Sequence, residues 1–199
     1  MSHSVPVRSH HALLVVDVQN DFLPGGALGV PGGDAIIPTI NRVIPLFDTI
    51  VFTRDWHPAD HCSFDSAPRF VDRSWPVHCV ADTPGAAFHT DLTIPDNAII
   101  ISKAVTADRE AYSSFQETAL AAQLKSRGIT MIYICGLATD YCVRFSAIDA
   151  IHAGFRVRII TDAVRGIDVP AGSARKAMED MMVAGAEPVQ SDLLVRMQD

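Results

Sequence analysis

The stretch "TMIYICGLATDYCVRFSAIDAIHAGFRVRIITDA", residues 130–163, sets the architecture. A near-continuous apolar run, "TMIYICGL" (130–137), is followed by a helical pattern, "TDYCVRFSAIDAIHAG" (139–154), and then by a second apolar run, "FRVRIITDA" (155–163). Unbroken runs of β-branched and other apolar residues are what strands covered on both faces require. Two such strands joined by a helix form one unit of a parallel sheet. The same signature recurs upstream in "ALLVVDV" (12–18), "TIVFTRD" (49–55) and "AIIISKA" (98–104). Further helical patterns lie at "DAIIPTINRVIPLF" (34–47), "QETALAAQLKSRG" (116–128) and "AGSARKAMEDMMVAG" (171–185).

Three of the four helical segments end at a glycine, Gly128, Gly154 or Gly185, the residue that most easily closes a helix in the left-handed conformation. Pro38 and Pro45 threaten the first helix, because an interior proline removes a backbone donor. A last short strand is predicted near "AEPVQ" (186–190). The order βαβ, long irregular segment, βαβαβα describes an α/β protein with an open parallel sheet and helices on both faces. The irregular segment runs from Trp56 to Asn97 and holds both tryptophans and His57, His61, His78 and His89. Structureless segments longer than ~15 residues in compact domains are usually functional or disordered. The clustered histidines favour function.

With 199 residues, 48% of them hydrophobic and 20% charged, the chain suits one domain with a sizeable core. A net charge of −7 and the lack of a long basic run argue against nucleic acid or an anionic membrane as partner. A small molecule is the default ligand. The N-terminal "MSHSVPVRSHHALLVVDVQ" has no secretory pattern, and no apolar run approaches the ~20 residues of a membrane span. A cytoplasmic protein is expected, so Cys62, Cys79, Cys135 and Cys142 are read as reduced thiols.

In open parallel sheets ligands bind beyond the carboxyl ends of the strands. Asp17, Asp55 and Lys103 each close an apolar run, and Cys142 opens the helix after the fourth. Taken singly, such residues are often loop caps, solvated ammonium groups or small apolar filler. Taken together they form a coherent set. A thiol attacks as thiolate, which a helix start and an ammonium favour, while a carboxylate can accept its proton. Cys135, inside an apolar strand, is read as structural. The turn from Leu137 to Cys142 can supply oxyanion donors from the backbone of Ala138 and Cys142.

Asp55 and His57, two apart on an extended segment, project to one side, and His61 and His78 can close around a shared ion. Carboxylate plus imidazole suits Zn²⁺, Fe²⁺ or Mn²⁺ with positions left open. Surface histidines are the alternative. Cys62 and Cys79 rank below the histidines as ligands.

The segments "VVDVQNDFLPGGAL", "TRDWHPADHCSF", "SWPVHC", "SKAV" with "AYSSF", and "GLATDYCVRFSAIDA" together resemble the nicotinamidase/pyrazinamidase family of the isochorismatase-like cysteine hydrolases. The resemblance extends from about residue 12 to 190, with the motifs in family order. It implies a three-layer α/β fold with a six-stranded, mainly parallel sheet, spanning 1–199 as a single domain with a flexible 1–11. It also implies hydrolysis of nicotinamide to nicotinate and ammonia, a step of NAD salvage, and of pyrazinamide. By motif match Asp17 is the general acid/base, Lys103 stabilises the thiolate, and Cys142 is the nucleophile. Asp55, His57 and His78 match the ligands of one divalent ion, Zn or Fe foremost and Mn third, that orients the pyridine ring. His61 is a further candidate ligand, its spacing from His57 differing from that of relatives. Phe22, Trp75 and Tyr112 match the ring pocket, and the bond before Ala138 matches one that is cis in the family. Assembly as a homo-oligomer is compatible with the resemblance alone.

Two other readings stay open at this point. Another isochorismatase-like hydrolase, acting on isochorismate or an N-carbamoyl amide, needs no ring-binding metal. A non-catalytic metal- or thiol-sensing protein uses the cysteines and histidines but leaves Asp17 and Lys103 without a task.

Overall fold

The structure, a computed structural model, describes residues 7–196. Six strands form one sheet: β1 (His11–Val16), β2 (Thr49–Asp55), β3 (Ile99–Lys103), β4 (Met131–Leu137), β5 (Arg156–Arg165) and β6 (Glu187–Val189). Their spatial order is β3-β2-β1-β4-β5-β6, and every pairing is parallel. The expected "mainly parallel" sheet is therefore wholly parallel among the described residues. The chain winds outward in one direction from β1 to β3 and in the other from β4 to β6. The reversal lies between β1 and β4, and a topological switch point of this kind opens a crevice at the carboxyl ends.

Alternate residues of each buried strand serve opposite faces, as the two-residue period of a strand demands. Leu13 and Val15 join the core beneath α1 (Ile37–Val43) and α5 (Ser191–Arg196). Ala12, Leu14 and Val16 join the core beneath α2 (Leu120–Ser126), α3 (Arg144–His152) and α4 (Ser173–Ala184). Three layers result, with helices on both faces. At Gly136 (φ 111°) a β-carbon would stand 2.1 Å from the Val16 carbonyl oxygen, so only glycine lets β4 come this close to β1 beside the crevice.

Three sequence expectations change in detail. The helix over 34–47 is broken into a 3₁₀ turn (Gly33–Ile36), α1 and a second 3₁₀ turn (Ile44–Leu46). Pro38 is tolerated in the first turn of α1 and Pro45 stops it, as their missing N–H groups require. The helix over 139–154 opens with a π-helical turn, Thr139–Val143, before α3 begins. Of the segment 1–11 expected to be flexible, residues 1–6 lie outside the described residues, Val7–His10 form a 3₁₀ turn, and His11 starts β1. Between β2 and β3 no α-helix or strand forms. The segment is pinned by the isolated bridges Gln19 to Phe88, His57 to Val80 and Phe64 to Trp75.

Candidate active site

Asp17 follows the last residue of β1 with φ at +50°, an uncommon conformation for a residue other than glycine. Its buried carboxylate accepts a hydrogen bond from Thr53 Oγ1 at 2.7 Å through Oδ1, and its Oδ2 lies 2.9 Å from Lys103 Nζ. Lys103 ends β3 and is 1% exposed. Its ammonium also donates to the carboxylate of Asp55, to the Ala111 carbonyl at 3.2 Å and to Cys142 Sγ at 3.4 Å. Cys142 arrives from the π turn after β4, so three strand ends and one helix start converge at the switch point.

Burial works against charge on every member, and the partners decide which charges survive. For Lys103 burial favours the neutral amine, but Asp17 and Asp55 outweigh it and hold the group well above its ordinary range, so it is an ammonium. Burial pushes the Cys142 thiol well above its usual value even with Lys103 beside it. Burial likewise raises Asp17, against the pull of Lys103 and Thr53. A neutral thiol beside a carboxylate of raised basicity is a pair set up to move one proton from sulfur to oxygen.

Next to this triad, ligand atoms of Asp55, His57 and His78 all lie within 4.8 Å of one another, and all three residues are buried. His57 Nδ1 is bonded to the Ala104 carbonyl at 3.2 Å, which leaves Nε2 buried, without a hydrogen bond, and 3.5 Å from Asp55 Oδ2. His78 Nδ1 is held by the Pro76 carbonyl at 2.8 Å. Burial drives His78 down to about 4, so at neutral pH its other nitrogen is a lone-pair donor. On His57 burial also opposes charge, yet Asp55 beside it raises the imidazole above its usual range. Asp55 itself, despite burial, is held far below the carboxylate range by Lys103 and His57. A buried carboxylate and two imidazoles, each fixed through Nδ1, form a donor set suited to a divalent cation.

His61 is not part of that group. Its Nδ1 pairs with Ser63 Oγ at 2.8 Å and its Nε2 with the Arg109 carbonyl at 3.0 Å, so both nitrogens are engaged. The ring packs on His57, centroids 4.2 Å apart, where it supports the loop.

Phe22, Trp75 and Tyr112 line one cleft with Ala138, Cys142, Asp55 and His78. The cleft is narrow and lined mostly by apolar and aromatic side chains, with Asp55, His78 and Cys142 among its polar or reactive groups. Trp75 Nε1 donates to the Tyr112 hydroxyl at 2.9 Å, and Tyr141 stands edge-on to Trp75 with centroids 4.9 Å apart. The peptide bond before Ala138 is cis, as the resemblance implies.

Several residues here escape sequence reading. Buried Gln19 grips Asp55 by both main-chain groups, donating to its carbonyl at 2.8 Å and accepting from its N–H at 2.8 Å. Asp21 accepts the Cys79 N–H at 2.7 Å and so ties the loop after β1 to the one carrying His78. The only signal for either was their place in "DVQNDF", directly after a strand end. Glu110 and Ile167, both in the cleft lining, lie in segments with no periodicity to flag them.

An all-parallel α/β sheet with an acid, an ammonium and a thiol at its switch point is an arrangement suited to a hydrolase, and the chain belongs to the Isochorismatase domain family, whose profile matches residues 11–192. Among curated relatives, the nicotinamidase of Acinetobacter baylyi is 43% identical over 198 residues, covering 90% of this chain and 92% of that protein. The pyrazinamidase of Pyrococcus horikoshii, solved in complex with zinc, is 48% identical with a TM-score of 0.82, covering 91% of this chain and 99% of that one. The PnC1 protein of L. infantum, solved in complex with nicotinate, is 37% identical with a TM-score of 0.83, covering 94% and 96% of the two chains.

Proposed function

We propose that this chain hydrolyses nicotinamide to nicotinate and ammonia through a thioester on Cys142, and that it accepts pyrazinamide as a related amide. The observation that carries the reading is the single ammonium of Lys103, in reach of both Asp17 and Cys142. Asp17 takes the proton from Cys142 Sγ as the sulfur attacks the amide carbon. The oxyanion is received by the backbone N–H groups of Ala138 and Cys142. Asp17 gives the proton to the nitrogen that leaves as ammonia, then draws one from the water that attacks the thioester and passes it to the departing sulfur, which frees the acid, ionised as nicotinate, and restores the thiol.

Asp55, His57 and His78 are the residues that would hold a divalent ion, which when bound supplies a Lewis-acidic contact for the ring nitrogen. Zinc and iron suit this donor set best, with manganese third. The convergence of buried ligand atoms of Asp55, His57 and His78 within 4.8 Å supports this reading over a hydrolase with no metal. The whole chain acts as one domain, and its four free cysteines fit the cytoplasm.

The test is ammonia release from nicotinamide by purified protein, before and after chelation and after readdition of zinc. Release that falls on chelation and returns with the ion supports the reading; no release at any metal loading overturns it.

A further inference from the structure

One wall of the cleft comes from outside the strand ends. Ile167 lines it, from the segment between β5 and α4. The Ile167 N–H donates to Asp140 Oδ1 at 3.0 Å, while the Asp168 N–H and the Ser173 hydroxyl donate to Asp140 Oδ2 at 2.8 and 2.7 Å. Asp140 is 5% exposed and belongs to the same π turn as Cys142. Asp168 Oδ1 in turn accepts the Gly172 and Ala174 N–H groups at 2.9 and 3.0 Å, which fixes the segment to the start of α4. At Gly166 a β-carbon would stand 2.6 Å from the Ala174 β-carbon and 3.0 Å from Asp140 Oδ1, so this backbone is packed hard against the clamp. Three hydrogen bonds thus converge on this one buried side chain.

We propose that Asp140 is a positioning residue that locks Ile167 to the nucleophile's turn, making Ile167 the gauge of ring size in the cleft. The inference rests on the reading that the cleft takes a heteroaromatic amide. The substrate class is then flat six-membered ring carboxamides without a ring substituent on the Ile167 side. Loosening the clamp lets the wall retreat, which weakens the grip on the natural ring and admits a larger one.

The experiment compares steady-state kinetics on nicotinamide and 5-methylnicotinamide for metal-loaded wild type, Ile167→Ala, Asp140→Asn, Ser173→Ala and the Ile167→Ala/Asp140→Asn double variant. Thermal unfolding and the rate of Cys142 alkylation by iodoacetamide accompany each. Ile167→Ala and Asp140→Asn should each raise the nicotinamide KM by about tenfold with little change in kcat, since the wall grips the ring equally in the ground and transition states. Both should shift preference toward the methylated ring by about tenfold, Ser173→Ala by less, and the double variant should go no further than the larger single, as expected for residues acting through one contact. Alkylation should stay at the wild-type rate. Unchanged preference in Asp140→Asn, or a fall in its kcat and alkylation rate with KM unmoved, overturns the proposal, as do multiplicative effects in the double variant. If wild type hydrolyses neither amide, the underlying reading fails separately. Calorimetric affinities of the two amides for the same variants then apply the same criterion, and a preference unmoved by Ile167→Ala counts against the gauge.

Discussion

Lys103 Nζ lies 3.4 Å from the sulfur of Cys142 while the same ammonium is shared between the carboxylates of Asp17 and Asp55. One cation thus serves the nucleophile, its acid/base and a residue of the adjacent donor cluster. Asp17 and Asp55 are both buried, and neither charge is affordable there without it.

Lys103→Met should therefore harm stability as well as activity. Removing one partner from a buried ionic group costs about 3–5 kcal/mol, because the remaining charges are left uncompensated. Urea unfolding should show that loss, and adding Asp17→Asn to Lys103→Met should recover part of the stability but none of the turnover. Wild-type stability in Lys103→Met would mean the ammonium does not hold the two carboxylates.

Metal content and nucleophile should separate. Cys142→Ala should lose turnover and keep its bound ion, whereas His57→Ala should lose the ion. Gln19→Ala should weaken ion retention by about 10- to 100-fold, the usual effect of removing a group that orients a ligand, since Gln19 fixes the main chain of Asp55. Elemental analysis of the purified variants reads all three, and a Cys142→Ala protein depleted of ion would show the two sites to be one.

Acid should destabilise the metal-free protein between pH 6.5 and 4 through His78. Its folded value of about 4 lies below the ordinary 6.5, so the unfolded chain takes up the proton first and stability is lost as pH falls through this window. His57, raised when folded, contributes fully below pH 6.5 and stays constant there. Asp55, depressed, gives up its contribution only below the ordinary carboxylate value of 3.8. His78→Asn should reduce the dependence by up to about 3 kcal/mol, while His61, lowered by burial, and Asp17, raised by it, titrate in both proteins and act in opposite directions. Denaturant midpoints in chelator at pH 7, 5.5 and 4.5 measure it, and an equal slope in the variant contradicts the assignment.

The strands were readable because parallel strands buried on both faces must be apolar throughout, as "TMIYICGL" is. The convergence of Asp17, Lys103 and Cys142 was readable for a related reason: a polar residue ending such a run sits at the sheet's carboxyl edge. What the sequence left obscure depends on tertiary contacts. The grip of Gln19 on Asp55 and the clamp of Asp140 on Ile167 join segments far apart in the chain, and nothing local announces them. The π turn at Cys142 follows the same apolar pattern as an ordinary helix start. His61 is a candidate ligand as one of the clustered histidines, and only its bonds to Ser63 and Arg109 show both nitrogens engaged. Helix α5 passed unseen because it is short and docked through Ser191, whose N–H donates to Asp162 Oδ1 at 2.9 Å.

The most direct measurement is mass spectrometry of the protein quenched during turnover of nicotinamide. A nicotinoyl group on the peptide carrying Cys142, absent from Cys142→Ala and formed more slowly in Asp17→Asn, is the expected result. Steady turnover by Cys142→Ala with no acylated peptide would contradict the account.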